Sequence, residues 1–168
     1  MKRTTITTKI VFALYGAVLV WIVMGKMAFS VADIPWQDGV RAINLEPFRH
    51  SIIAGRYLTS DTVLNVLIFL PLGAYLWMLG MPAVGAVLCS GLVSVGFEVC
   101  QYALASGVSD VTDVITNTAG ALIGVLFYAV ARLILPNKRK RDALVNGIAI
   151  VGLMLFAAWA IWLYTATF

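Results

Sequence analysis

Apolar residues in this chain gather into five long runs separated by short polar breaks, at residues 10–29, 63–79, 83–105, 111–135 and 143–164. Their lengths approach the roughly 20 residues a helix needs to cross about 30 Å of hydrocarbon at about 1.5 Å per residue. Polar residues within the runs do not alternate with apolar ones, as the strands of a membrane barrel require, so the pattern predicts helices. The expected fold is all-α, a polytopic helical membrane bundle of five spans forming one domain over residues 1–168.

The breaks predict which spans are neighbours. Only Gly80, Met81 and Pro82 separate the second and third runs, and only residues 106–110 separate the third and fourth. Connections this short make spans two, three and four adjacent and successively antiparallel. The fifth run has almost no polar side chain and follows the linker 136–142, a pattern expected of a peripheral, lipid-facing helix. Gly120 and Gly124 are four apart on the fourth span, and Gly85, Gly91 and Gly96 lie on the third. All five are expected at tight helix contacts. Pro71, inside the second span, removes a backbone donor and predicts a kink, with Gly73 adding freedom.

Composition agrees with lipid as the solvent: 61% of residues are hydrophobic and 12% charged, with mean hydropathy +0.94, outside the range of soluble domains. A net charge of +4 does not point to nucleic acid, because the basic residues, Lys26 and Arg132 apart, fall outside the spans. They set orientation instead. Lys2, Arg3 and Lys9 precede the first span and Lys138, Arg139, Lys140 and Arg141 precede the fifth, seven in all against Arg41, Arg49 and Arg56 in the loop of residues 30–61. The excess places the N-terminus and the 136–142 linker in the cytoplasm and, with five spans, the C-terminus outside. Ser30-Val31-Ala32 resembles a signal-peptide cleavage site, but the preceding run is long for a signal sequence and reads as a retained span. Cys89 and Cys100 share one helix about 16 Å apart, so they cannot pair with each other and read as free apolar thiols.

Polar residues inside spans are costly, so their positions carry information. Asn65 lies on the second span, Glu98 and Gln101 on the third, Asp113 and Asn117 on the fourth. Counted from the outer helix ends, all lie within about 5–10 Å of the same face. Glu98 with Gln101, and Asp110 with Asp113 and Asn117, follow helical spacing, so each set shares a face turned into the bundle. A carboxyl at the depth of Glu98 is either neutral or beside a cation. The outer loop offers Arg41 and Arg49, flanking Asn44-Leu45-Glu46-Pro47-Phe48, and predicts a loop folded over the bundle with an arginine on Glu98. The candidate ligand-binding set is Arg41, Asn44, Arg49, Asn65, Glu98, Gln101, Asp110, Asp113 and Asn117. Structural alternatives stand beside it. Ser109 or Asp110 can cap the fourth helix with Thr112 or Asp113 completing the cap, and Asn65 and Gln101 can be interhelical glue. His50 reads as solvated, and Trp36, Tyr57 and Tyr102 as interfacial aromatics.

These residues in this order resemble the VanZ-like family of bacterial membrane proteins. The resemblance lies in Asn44 to Phe48, in Asn65-Val66-Leu67-Ile68-Phe69-Leu70-Pro71-Leu72-Gly73, in Glu98 with Gln101, and in Asp110, Asp113, Asn117, Gly120 and Gly124, covering about residues 40–128. The family-pattern positions are Asn44, Pro47, Phe48, Asn65, Phe69, Pro71, Gly73, Glu98, Gln101, Asp113, Asn117 and Gly120. The resemblance implies a multi-pass protein of the bacterial inner membrane and an association with resistance to the glycopeptide teicoplanin, without an established reaction. One departure stands out: the family commonly has an arginine just before the aspartate-rich run, where this chain reads Ala105-Ser106-Gly107-Val108-Ser109. A loop arginine then takes its place, or the ligand differs.

Three function classes fit the polar layer. The first is an envelope protein in the lipid bilayer whose outer-face pocket binds a lipid head group or lipid-linked cell-wall precursor. The second is a membrane-embedded enzyme with Glu98 and Asp113 as acid and base, or as oxygen ligands for Mg²⁺ or Ca²⁺. The third is a transporter using the same acids. Without histidine or cysteine at the site, zinc is not expected; no nucleophile triad or phosphate loop is present, and no resident metal or cofactor is expected. A polar layer confined to one side favours a surface-facing binding site over a pore.

Overall fold

The computed structural model describes residues 5–25, 40–48, 52–53, 56–57 and 59–167. The elements run α1 (Ile6–Gly25), β1 (Val40–Asn44), β2 (Ile52–Ile53), β3 (Arg56–Tyr57), α2 (Thr59–Met78), α3 (Ala83–Ala103), β4 (Ser106–Asp110), α4 (Val111–Ile134) and α5 (Lys138–Thr167). All five expected helices are present, and the fold is an all-α membrane bundle. Helices α1, α3, α4 and α5 carry apolar stretches long enough to cross a membrane, while the stretch in α2, Thr62–Met78, is shorter. Helix α2 continues through Pro71. The chain divides into two compact units, Ile34–Ala129 and Met1–Asp33 with Val130–Phe168.

In the first unit α2 and α3 form the expected hairpin. Gly80 closes α2 in the left-handed conformation, φ 115°, its N–H bonding Trp77 O at 3.0 Å while the Met81 N–H reaches Leu76 O at 3.0 Å. This paired closure satisfies carbonyls the helix end leaves open, and it needs a residue without Cβ. Helix α4 packs on α2 through glycines. A Cβ on Gly120 would collide with the Val66 carbonyl, one on Gly124 with the Leu70 carbonyl, and one on Gly73 with the Ala121 carbonyl. The pairings 66 with 120 and 70 with 124 advance together, so α2 and α4 run parallel at backbone contact, as two helices each antiparallel to α3 must. Trp77 and Tyr128 continue the seam edge to face, centroids 5.4 Å apart.

Glycine packing on α3 is less uniform than expected. A Cβ on Gly91 would lie 3.1 Å from Thr118 Oγ1, and one on Gly85 would meet only Met81 and Pro82 of its own hairpin. Gly96 faces open space, so the expectation of tight packing fails there. The face of α3 that is buried runs Ala86, Ser90, Ser94, Glu98, one residue per turn.

Strands β1 and β4 pair in parallel, from Val40 with Ser106 to Asn44 with Asp110. This short sheet was not anticipated from the run pattern, because both segments lie in the polar breaks. The second unit contains α1 and α5. Asn146 Nδ2 donates to Thr8 Oγ1 at 2.9 Å, and Trp21 meets Phe156 edge to face at 5.8 Å. Both pairings advance along the chain, so the two helices run parallel with their N-terminal ends together. Helix α5 begins at Lys138 and absorbs most of the linker expected before it. Its Asn146 is 6% exposed, so α5 presents a polar anchor to α1 while its other side stays exposed.

Candidate functional site

The site is assembled where β4 passes into α4. Asp110, the last residue of β4, caps α4: its Oδ1 accepts the Thr112 N–H at 2.8 Å, satisfying one donor that the helix start leaves open. Its Oδ2 accepts Asn44 Nδ2 at 2.9 Å, across the register pair that joins the ends of β1 and β4. The Asp110 N–H donates to Glu98 Oε2 at 2.9 Å. One residue therefore ties the loop, α3 and α4 together. The capping reading of Asp110 is correct, and the same carboxylate also holds the loop.

The described stretch of the loop, Val40–Phe48, packs on β4 and the start of α4, as expected of a loop folded over the bundle. Asn44 Oδ1 accepts the Glu46 N–H at 3.1 Å and Asn44 Nδ2 donates to Glu46 O at 3.2 Å, an asparagine-nucleated turn. Phe48 adopts φ 61°, and its N–H donates to Thr112 Oγ1 at 2.9 Å. The turn thus ends on the first turn of α4. Leu45, 75% exposed, and Phe48 are exposed on this turn.

Glu98 is 8% exposed, and its backbone carbonyl also accepts Ser109 Oγ at 2.8 Å. Its carboxylate accepts the Asp110 N–H. The Arg41 guanidinium donates to Ala103 O at 3.4 Å, not to Glu98, and Arg49 lies outside the described residues. Trp36 and His50 lie there too. Arg41 stands directly across from Gly107 in the β1–β4 register, the stretch where the expected arginine is replaced.

Deeper in the bundle, Asn65 Nδ2 on α2 donates to Asp113 Oδ1 at 2.8 Å and to Thr116 Oγ1 at 3.3 Å on α4. Asn117 Nδ2 donates to Ser94 Oγ on α3 at 2.9 Å. Asn117 is 3% exposed, and its Oδ1 is buried without a hydrogen-bond donor among the described residues. Gln101 is half-buried, and its backbone carbonyl accepts Ser106 Oγ at 3.4 Å. The bend into β4 passes through Ala105 at φ 51°, a conformation that strains a residue with a Cβ.

The structure therefore brings Asn44, Asn65, Glu98, Asp110, Asp113 and Asn117 into one connected region of the first unit. The run pattern did not single out Ser94 and Thr116. Their signal was the four-residue spacing Ser90, Ser94, Glu98 on α3 and Thr112, Thr116, Gly120 on α4. Ser90 and Ser94 also carry polarity further along α3 than the expectation of a one-sided layer allows. Ser90 Oγ is occupied by Ala86 O at 2.8 Å and Ser94 by Asn117, so both hydroxyls bond within the bundle. No three His, Cys, Asp or Glu side chains among the described residues group to hold a metal ion.

Comparison with known proteins gives two matches. The VanZ/LLP1 family model matches residues 12–133. Protein VanZ of Enterococcus faecium is 31% identical over 152 residues, covering 88% of each chain. No solved structure matches.

Proposed function

The chain belongs to the VanZ/LLP1 family, and from that premise we propose that its polar region, at the outer face of a bacterial inner membrane, binds the head group of a lipid or lipid-linked cell-envelope precursor. Binding there modulates the envelope and susceptibility to glycopeptides such as teicoplanin. The observation that carries the reading is Asn117 Oδ1, a buried acceptor with no donor among the described residues, in a region where the other polar groups are bonded. Leaving a buried acceptor without a donor costs about 1–3 kcal/mol. A purely structural network has no reason to carry that cost, whereas a ligand hydroxyl, amine or ordered water supplies the missing donor. With Asp113 and Glu98 beside it, the region is rich in acceptors and suits a head group bearing N–H or O–H donors. Arg41, across from Gly107, supplies the cation of the site from the neighbouring strand.

The test is mass-spectrometric identification of lipids that co-purify with wild type and with an Asp113→Asn, Glu98→Gln double variant. A donor-bearing lipid enriched on wild type and lost on the variant supports the head-group site. Identical lipid profiles would mean that the polar residues hold the helices together and bind nothing.

A further inference from the structure

The second unit contains a cavity that the polar region of the first does not explain. It encloses about 500 Å³ at the shared N-terminal end of α1 and α5, and its lining includes Thr7, Lys138, Arg139, Asn146 and Gly147. Along α5 it adjoins an apolar groove floored by Ala143, Leu144, Gly147, Ile148 and Val151. Ala143 and Gly147 belong to both. A half-open chamber lined in part by Thr7, Lys138 and Arg139 thus adjoins an open apolar groove along the same helix.

We infer that this cavity and groove seat one anionic phospholipid, the phosphate in the chamber and an acyl chain along α5. Charge and shape both argue for it. Lys138 is engaged by Asp142 one turn on, which neutralises the one carboxylate lining the chamber. Arg139 uses its backbone N–H on Asn137 Oδ1 at 3.0 Å, while its exposed guanidinium makes no described contact and remains available to phosphate. The parallel helices α1 and α5 both point their N-terminal, positively polarised ends toward this side. Basic pockets between membrane helices at their water-facing ends select anionic head groups. A free phosphate would use the chamber alone and make no use of the adjoining apolar groove. An acyl chain covers it. The seat belongs to the second unit, and its argument does not depend on the ligand of the region around Asn117.

The experiment is native mass spectrometry of the full chain in mild detergent, titrated with phosphatidylglycerol or phosphatidylcholine, with inorganic phosphate as a separate competitor. Phosphatidylglycerol should bind at least about fivefold more tightly than phosphatidylcholine, the preference expected for one available cation. Arg139→Gln should erase most of that preference. Gly147→Leu should block the lipid while preserving the fold, because a Cβ at Gly147 meets nothing within 4 Å; circular dichroism checks the fold. Equal binding of the two lipids would overturn the inference, as would full phosphatidylglycerol binding by folded Gly147→Leu. Binding of inorganic phosphate without any binding of phosphatidylglycerol would also overturn it and reassign the chamber to a free anion.

Discussion

The Glu98 carboxylate accepts the backbone N–H of Asp110 at 2.9 Å, so an acid inside α3 fixes the residue that both ends β4 and caps α4. The geometry separates what Glu98 does as a hydrogen-bond acceptor within the fold from what its carboxyl does toward a ligand. Asp110 in turn holds Asn44 through its second oxygen. A change at Glu98 therefore reaches the loop through two bonds.

Glu98→Gln keeps an oxygen that can accept the Asp110 N–H and removes the carboxyl group. Its unfolding free energy in mixed micelles should stay within about 1 kcal/mol of wild type, while ligand retention falls about tenfold or more. Glu98→Leu leaves the Asp110 N–H without its acceptor and should cost about 1–3 kcal/mol. A Glu98→Gln protein that binds and functions as wild type would remove Glu98 from the site.

Asn65 and Asp113 join α2 to α4 at 2.8 Å. Side-chain hydrogen bonds between membrane helices contribute about 0.6–2 kcal/mol. A double-mutant cycle with Asn65→Ala and Asp113→Ala, followed by equilibrium unfolding, should return a coupling energy in that range. A coupling near zero would mean that the pair contributes little to the bundle and leaves ligand contact as the reason for placing two polar groups there.

The long elements were legible because lipid imposes one rule on every span. Twenty apolar residues with no exposed backbone admit little but a helix, and the short breaks after Leu79 and Ala105 then force neighbours. Glu98, Asp113 and Asn117 could be grouped because charge and amide are rare at that depth. The β1–β4 pairing was not legible, since Val40–Asn44 and Ser106–Asp110 are short, partly polar segments 66 residues apart at Asn44 and Asp110. Local propensity carries no information about a partner that distant. Ser94 escaped notice for a different reason: a serine can bond within its own helix, so it costs less in a span than an acid and stands out less.

Glycine positions on α3 and α4 predict opposite responses to one methyl group. At Gly124 the added Cβ collides with the Leu70 carbonyl, whereas at Gly96 it enters open space. Gly124→Ala should destabilise by about 1–3 kcal/mol, the usual cost of overpacking, because backbone cannot rotate away as a side chain can. Gly96→Ala should be neutral or slightly stabilising, since alanine is the better helix former. Thermal unfolding followed by tryptophan fluorescence measures both. Equal effects would contradict the α2–α4 seam.

Thr112 determines whether the Asn44–Phe48 turn stays closed over α4. Its hydroxyl accepts the Phe48 N–H at 2.9 Å, while its own N–H is held separately by Asp110 Oδ1. Thr112→Val preserves shape and β-branching and leaves the cap intact, so the loss is confined to the loop bond. A net hydrogen bond of about 1.4 kcal/mol corresponds to a tenfold change in opening. Hydrogen–deuterium exchange at the Phe48 amide should therefore accelerate about tenfold in Thr112→Val, with exchange in the middle of α4 unchanged. Acceleration across α4 as well would show that the hydroxyl supports the helix and not the loop alone. Unchanged exchange at Phe48 would show that Asn44, bonded to Asp110 and Glu46, closes the turn without Thr112.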